Sequence, residues 1–138
     1  MKRVLADSNV ALDLILARQP FAKASAELSA LAETGVAEAF ISAHAVTTIY
    51  YVVRRQEGAA FARQALNSLL RVFKVAAVDD VAIQEALQMP GPDFEDCVTA
   101  AAARRSGCSL IVTRDPRGFR ASPVRPVTPE AAVGILRR

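Results

Sequence analysis

The sequence predicts an α/β domain built on a mainly parallel sheet, and two observations predict it. Short apolar runs of strand length alternate with segments whose apolar residues recur at helical spacing. Two of those runs end on an acidic residue, Asp7 after Arg3–Ala6 and Asp115 just past Ser109–Thr113. That placement suits a parallel α/β sheet, where sites form beyond the carboxyl ends of the strands.

Each element has its own local reason. Arg3-Val4-Leu5-Ala6 is a buried first strand, and Ser8 and Asn9 are turn and helix-start residues for a helix over 10–17. Pro20 suits the first turn of a second helix, whose apolar face is Leu28, Leu31 and Ala32 and whose end is Gly35. Glu38–Ile41 is a second strand. Ser42 is the expected N-cap of a third helix, 43–56, with Val46, Ile49, Tyr50 and Val53 on one side. A fourth helix, 61–70, completes a helical hairpin. Val72–Val75 is a third strand, followed by a helix capped by Asp79 or Asp80. Met89-Pro90-Gly91-Pro92 is a rigid break before a helix over 93–106, closed by Gly107 as a C′ residue. Val124–Val127 is a short edge strand, because Pro126 cannot donate to a ladder. Thr128-Pro129-Glu130 starts a last helix running to about Leu136. No repeat or linker interrupts residues 1–138, which are expected to form a single domain.

Composition excludes several classes. With 138 residues and 52% apolar content the chain has a real core, and disorder is not expected. No apolar run is long enough to span a membrane. Asp7, Asn9 and Asp13 break what would be the apolar stretch of a signal peptide, so a cytoplasmic location is expected. Cys97 and Cys108 read as small buried residues of a reducing compartment. Net charge is only +3, but residues 104–138 hold eight arginines against Asp115 and Glu130. Arginine suits bidentate phosphate contacts.

The chemistry centres on Asp93-Phe94-Glu95-Asp96 and on Thr113-Arg114-Asp115. A helix from 93 to 106 is about 20 Å long. The strand after it runs back, so Asp115 returns to the neighbourhood of Asp93 and Asp96. Asp7 joins them from the end of the first strand. Carboxylates this close repel one another unless a positive group holds them. An oxygen-ligated divalent ion is the economical candidate, and such an ion serves phosphodiester hydrolysis. Local structural roles compete with this reading: Asp7 and Asp93 as helix caps, and Asp96 as an acid in a first turn that suits the helix dipole. Asp13 shares a helix face with Asn9 and is expected as a surface or supporting residue rather than a ligand.

Val4-Leu5-Ala6-Asp7-Ser8-Asn9-Val10, Asp96-Cys97-Val98-Thr99-Ala100-Ala101 and Ile111-Val112-Thr113-Arg114-Asp115 together resemble the acidic blocks of PIN domains. Among PIN domains the sequence looks like the VapC-like toxin ribonucleases of bacterial toxin–antitoxin pairs. The resemblance covers nearly the whole chain. It implies a three-layer α/β/α sandwich, an Mg²⁺- or Mn²⁺-dependent endoribonuclease acting on RNA, a homodimer, and an antitoxin that covers the site. By the same pattern Asp7, Asp96 and Asp115 would be the catalytic, metal-facing acids, with Asn9 and Thr113 in support. Arg114 and Arg117 are the candidate RNA contacts.

One position departs from the pattern. The family usually carries a further acid on the third helix, where this chain has Thr48. His44 lies one turn earlier on the same face and can reach the site, and Asp93 is another source of negative charge. A catalytically silent PIN-like domain that works through RNA or partner binding therefore stands as the alternative. A response-regulator-like phosphoacceptor would need a late lysine, but the lysines are Lys2, Lys23 and Lys74. A haloacid-dehalogenase-type phosphatase would need an acid where Asn9 stands.

Overall fold

Five parallel strands run side by side in the order β3-β2-β1-β4-β5. The computed structural model describes all residues from Met1 to Arg138. The strands are β1 Lys2–Ala6, β2 Ala37–Ser42, β3 Phe73–Ala76, β4 Leu110–Val112 and β5 Arg125–Val127. The helices are α1 Ser8–Ile15, α2 Ala22–Glu33, α3 Ala43–Glu57, α4 Ala59–Val72, α5 Asp80–Gln88, α6 Phe94–Arg105 and α7 Pro129–Leu136, with a 3₁₀ turn at Pro116–Phe119. The sheet, expected to be mainly parallel, is wholly so. β5 pairs with β4 alone, which leaves Pro126 on an edge where its missing N–H costs no ladder bond.

Side chains alternate across each strand and so divide the core in two. Val4, Ala6, Ala39, Ile41, Leu110 and Val112 face one layer, where they meet Leu12, Leu28, Ile49, Leu69 and Val133 from the helices. Leu5, Phe40 and Ile111 face the other, where α6 presents Ala100, Ala102 and Ala103 and the 3₁₀ turn presents Phe119. Ala82 and Ala86 of α5 pack on Cys97, Val98 and Ala101 of α6. The result is an α/β/α sandwich. Each fully buried Leu, Ile or Val contributes about 1.5–3 kcal/mol relative to exposure.

The central position of β1 and β4 fixes where the chain's acids meet. β1 pairs with β4 from Val4↔Leu110 to Ala6↔Val112, so both strands end level. Asp7 and Thr113 leave the sheet next to one another, and the Asp7 amide donates to Val112 O at 2.8 Å. α6 approaches the same edge with its N-terminus, because Gly107, at φ +73°, turns the chain from the end of α6 back into β4. Two capping expectations are made specific by the structure. Ser42 holds the N-cap position of α3, but its hydroxyl makes no capping bond; it is buried at the end of β2 without a hydrogen-bond partner. Asp79, and not Asp80, caps α5, accepting from Ala82 N at 3.0 Å. No helix is long and apolar enough to cross a membrane.

Candidate active site

At the carboxyl edge of β1 and β4 the structure brings together Asp7, Asp96 and Asp115, with Asp93, Glu95 and His44 around them. Asp7 is the N-cap of α1. Its Oδ1 accepts from Ser8 N at 2.9 Å. Its Oδ2 accepts from Thr113 Oγ1 at 3.0 Å and from Asn9 Nδ2 at 3.3 Å. Thr113 is fully buried and also accepts the Asp115 amide at 3.1 Å, so one hydroxyl ties the two strand-end acids together. Capping and site geometry are thus compatible in Asp7, since the helix start and the site use different oxygens.

Asp93 caps α6, accepting from Asp96 N at 3.1 Å. That bond sets the first turn of α6 and aims Asp96 along the edge. Asp96 and Asp115 close on one point from two sides: a Cβ added at Gly118 would lie 3.2 Å from Asp96 Oδ2 and 3.4 Å from Asp115 Oδ2. Only a residue without a side chain leaves that space open.

The charges are not balanced from within the chain. None of Asp7, Asp93, Glu95, Asp96 or Asp115 is ion-paired with a lysine or arginine. Burial, and then the charges of Asp93, Asp7, Glu95 and Asp115, push the Asp96 carboxyl up to about 6. Burial also raises Asp7, against the hydrogen bonds from Thr113 and Ser8. His44 is the one basic side chain turned toward this cluster. Burial holds its imidazole below the ordinary histidine range, against the opposing charges of Glu95 and Asp7. Its Nε2 lies 3.4 Å from Thr99 Oγ1, and its Nδ1 is buried without a partner, as is Asn9 Oδ1.

As the side chains stand, no three of the His, Cys, Asp and Glu residues are arranged to hold a metal ion. The donor set still fits a hard divalent ion. It is all oxygen and uncompensated, and Gly118 leaves open the space between two of its members, Asp96 and Asp115.

Other candidates fall elsewhere. Thr48 is half-buried on α3 and has no hydrogen-bond partner there. Arg117 is exposed and unpaired. Asp13, expected as a surface or supporting residue rather than a ligand, is fully buried and supports the fold. Arg114, a candidate RNA contact, is its partner: Arg114 Nε lies 2.9 Å from Asp13 Oδ2, and the guanidinium sits 4.1 Å from the Phe21 ring centroid. Arg18 Nη1 stands 3.9 Å from the other Asp13 oxygen. A charge this deep persists only when paired, and its partner comes from a loop a hundred positions away. A signal was present, for Asp13 is a lone charge inside the run Val10-Ala11-Leu12-Asp13-Leu14-Ile15-Leu16. Glu95 gave no such signal; an acid in a helix's first turn reads as dipole compensation. Cys97 and Cys108 are buried and free, and burial pushes the Cys108 thiol up to about 12.

A parallel α/β/α sandwich with unpaired acids gathered where β1 and β4 end defines an acid-edged domain of the PIN class. The chain belongs to the PIN-domain family, whose sequence model matches residues 3–117. Solved structures share the fold at low identity. The DNA-bound VapBC of Salmonella typhimurium is 18% identical with a TM-score of 0.73, over 94% of this chain and 99% of that one. FitAcB of Neisseria gonorrhoeae is 20% identical with a TM-score of 0.72, over 92% and 98%. VapC20 of Mycobacterium tuberculosis, a toxin cleaving the sarcin-ricin loop, is 17% identical with a TM-score of 0.62, over 78% and 86%. No curated protein matches the chain in sequence.

Proposed function

We propose that this chain is a divalent-metal-dependent endoribonuclease and the toxin of a toxin–antitoxin pair. One observation carries the proposal. Asp7 and Asp115 at the strand ends and Asp93, Glu95 and Asp96 at the start of α6 lie near one another with no lysine or arginine paired to them, and burial and like charge push Asp96 up to about 6. Unpaired acids this close repel one another, and a cation from outside the chain would relieve that repulsion.

Asp7, Asp96 and Asp115 would hold Mg²⁺ or Mn²⁺, with Asp93 as a further source of charge. The ion, when bound, supplies water activation and charge neutralisation on the phosphate. The chain's own residues prepare that chemistry. Thr113 and Asn9 fix the orientation of Asp7. Thr113 also fixes the backbone of Asp115. Gly118 leaves the space between Asp96 and Asp115 free. His44, held toward its neutral form, offers a ring nitrogen beside Asp7 without adding a competing positive charge. Exposed Arg117 is available to a phosphate of the RNA backbone.

The likeness to VapBC and FitAcB supports a protein antitoxin as partner, and we extend the proposal to a homodimer acting in the cytoplasm. A second reading, a silent domain that binds RNA without cutting it, is favoured by the neutral Thr48. One assay separates the two. Purified protein is incubated with labelled single-stranded RNA and Mn²⁺, with or without EDTA, alongside Asp7→Asn. Cleavage lost in EDTA and in the variant supports the nuclease. Equal cleavage with EDTA would sink it, and binding with no cleavage under any condition selects the silent domain.

A further inference from the structure

The outer face of the α3–α4 hairpin is not used by the carboxylate site. Residues 43–72 carry four arginines, Arg54, Arg55, Arg63 and Arg71, against Glu57 alone, a surplus as large as the +3 of the whole chain. None of the four is ion-paired. Elsewhere Arg3, Arg18, Arg104, Arg105, Arg114 and Arg137 do have carboxylate partners. Three of them, Arg54, Arg55 and Arg63, lie around Tyr51, and free arginines gathered on one face form the electrostatic footprint of a polyanion site.

Aromatic surface lies among them. Tyr51 is 61% exposed. Its ring meets Tyr50 edge-on at 5.7 Å between centroids, and the Arg63 guanidinium lies 5.8 Å from the centre of the Tyr50 ring. Tyr51 borders two adjoining depressions. One, of about 400 Å³, is shared with Thr47, Tyr50, Arg63 and Asn67; the other, of about 390 Å³, with Arg54 and Arg55. An exposed ring among unpaired arginines suits a base stacked on the ring and phosphates held beside it.

The face is also continuous with the site. His44, Thr48, Tyr51 and Arg55 follow the i, i+4, i+7, i+11 pattern and form one stripe along α3. The stripe begins at His44, whose Nε2 lies 3.4 Å from Thr99 Oγ1 of α6, the helix that carries Asp96. Tyr51 comes about 10 Å later and Arg55 about 16 Å later. Glu57 is turned to the other side. The stripe therefore holds no carboxylate, and Thr48 keeps it so.

We propose that this stripe, flanked by Arg54 and Arg63, is a track for single-stranded RNA leading out of the carboxylate site. It rests on the ribonuclease reading and adds to it where the strand runs. A second copy of the chain is the poorer occupant. Two-fold pairing through this face would bring two arginine-rich surfaces together, with Glu57 as the one acid of the hairpin to offset them.

The test measures binding apart from cleavage. A fluorescein-labelled 12-nucleotide single-stranded RNA is titrated in EDTA and followed by anisotropy at several salt concentrations. Tyr51→Ala should weaken binding on the order of tenfold, and Tyr51→Phe should restore it, because stacking needs the ring and not the hydroxyl. Arg54→Gln with Arg55→Gln should flatten the logarithmic salt dependence by about 1.4, the loss of two phosphate contacts on a single strand. Arg125→Gln, at the opposite edge of the sheet, should change neither. Parental binding by both Tyr51→Ala and the Arg54/Arg55 double variant would overturn the track. So would a change of sedimentation mass in RNA-free Tyr51→Ala, which would give the face to a second copy. A parent that binds through these residues but cleaves nothing with Mn²⁺ keeps the track and removes the ribonuclease reading.

Discussion

Asp13 and Asp96 are both withdrawn from water, and the chain treats them in opposite ways. Asp13 is fully buried, with Arg114 against one oxygen, Arg18 near the other, and Phe21 stacked on the Arg114 guanidinium. Burial raises its carboxyl, and the two arginines pull it back. Asp96 is only partly buried, yet its charged neighbours are all acids, and it is pushed up to about 6. Where the fold needs a charge inside for its own sake, it supplies the counter-charge. At the strand ends it supplies none, and unpaired acids of that kind are the candidates for a site rather than for structural support.

The sharpest way to break the comparison is to remove the counter-charge from Asp13. Arg114→Met should destabilise the protein by about 3–5 kcal/mol, since it leaves a buried carboxylate with only the distant Arg18. In urea denaturation, Asp13→Asn combined with Arg114→Met should cost clearly less than the two changes added together. Additive costs would mean that the pair is not coupled, and Arg114 would return to the list of RNA contacts.

At the other acid, more negative charge should help. Thr48→Glu places a carboxylate on the stripe beside His44 and should tighten Mn²⁺ binding about tenfold, while the added negative charge on the track weakens RNA binding. Calorimetric titration of both proteins checks this. A variant that binds metal no better shows that Thr48 does not face the ion.

Removing charge from Asp96 should help the metal-free fold while harming any activity. Its folded-state value lies above the ordinary 3.8, so the folded protein holds the proton more tightly than the unfolded chain does. The carboxylate therefore lowers stability at pH above about 6, and that penalty fades as pH falls towards 3.8. Asp96→Asn should melt higher than the parent at neutral pH, by about 1 kcal/mol once partial exposure is discounted. It should match the parent below 3.8. Melting curves in EDTA across that range decide it. A gap that does not change with pH would mean that Asp96 is not repelled by its neighbours.

What the sequence determined by itself is the set of local structures and the edge at which they meet. Period-two and helical apolar patterns are short-range properties, so β1, β4 and the helices are legible from their own residues. Thr128-Pro129-Glu130 announces α7, which opens as Pro129–Leu136 with Thr128 as its cap. The strand-end positions of Asp7 and Asp115 follow from the same short-range reading. The tertiary structure decided what each charge faces. Asp13 and Arg114 stand a hundred positions apart, and nothing in either neighbourhood names the other. Glu95 reaches Asp7 and His44 only because α6 lies across the ends of β1 and β4. The exposed face of α3 became visible once its other side was packed. Coulomb attraction and burial act through space, whereas a sequence orders residues along a line. The identities of the charged groups were therefore readable, and their partners had to wait for the fold.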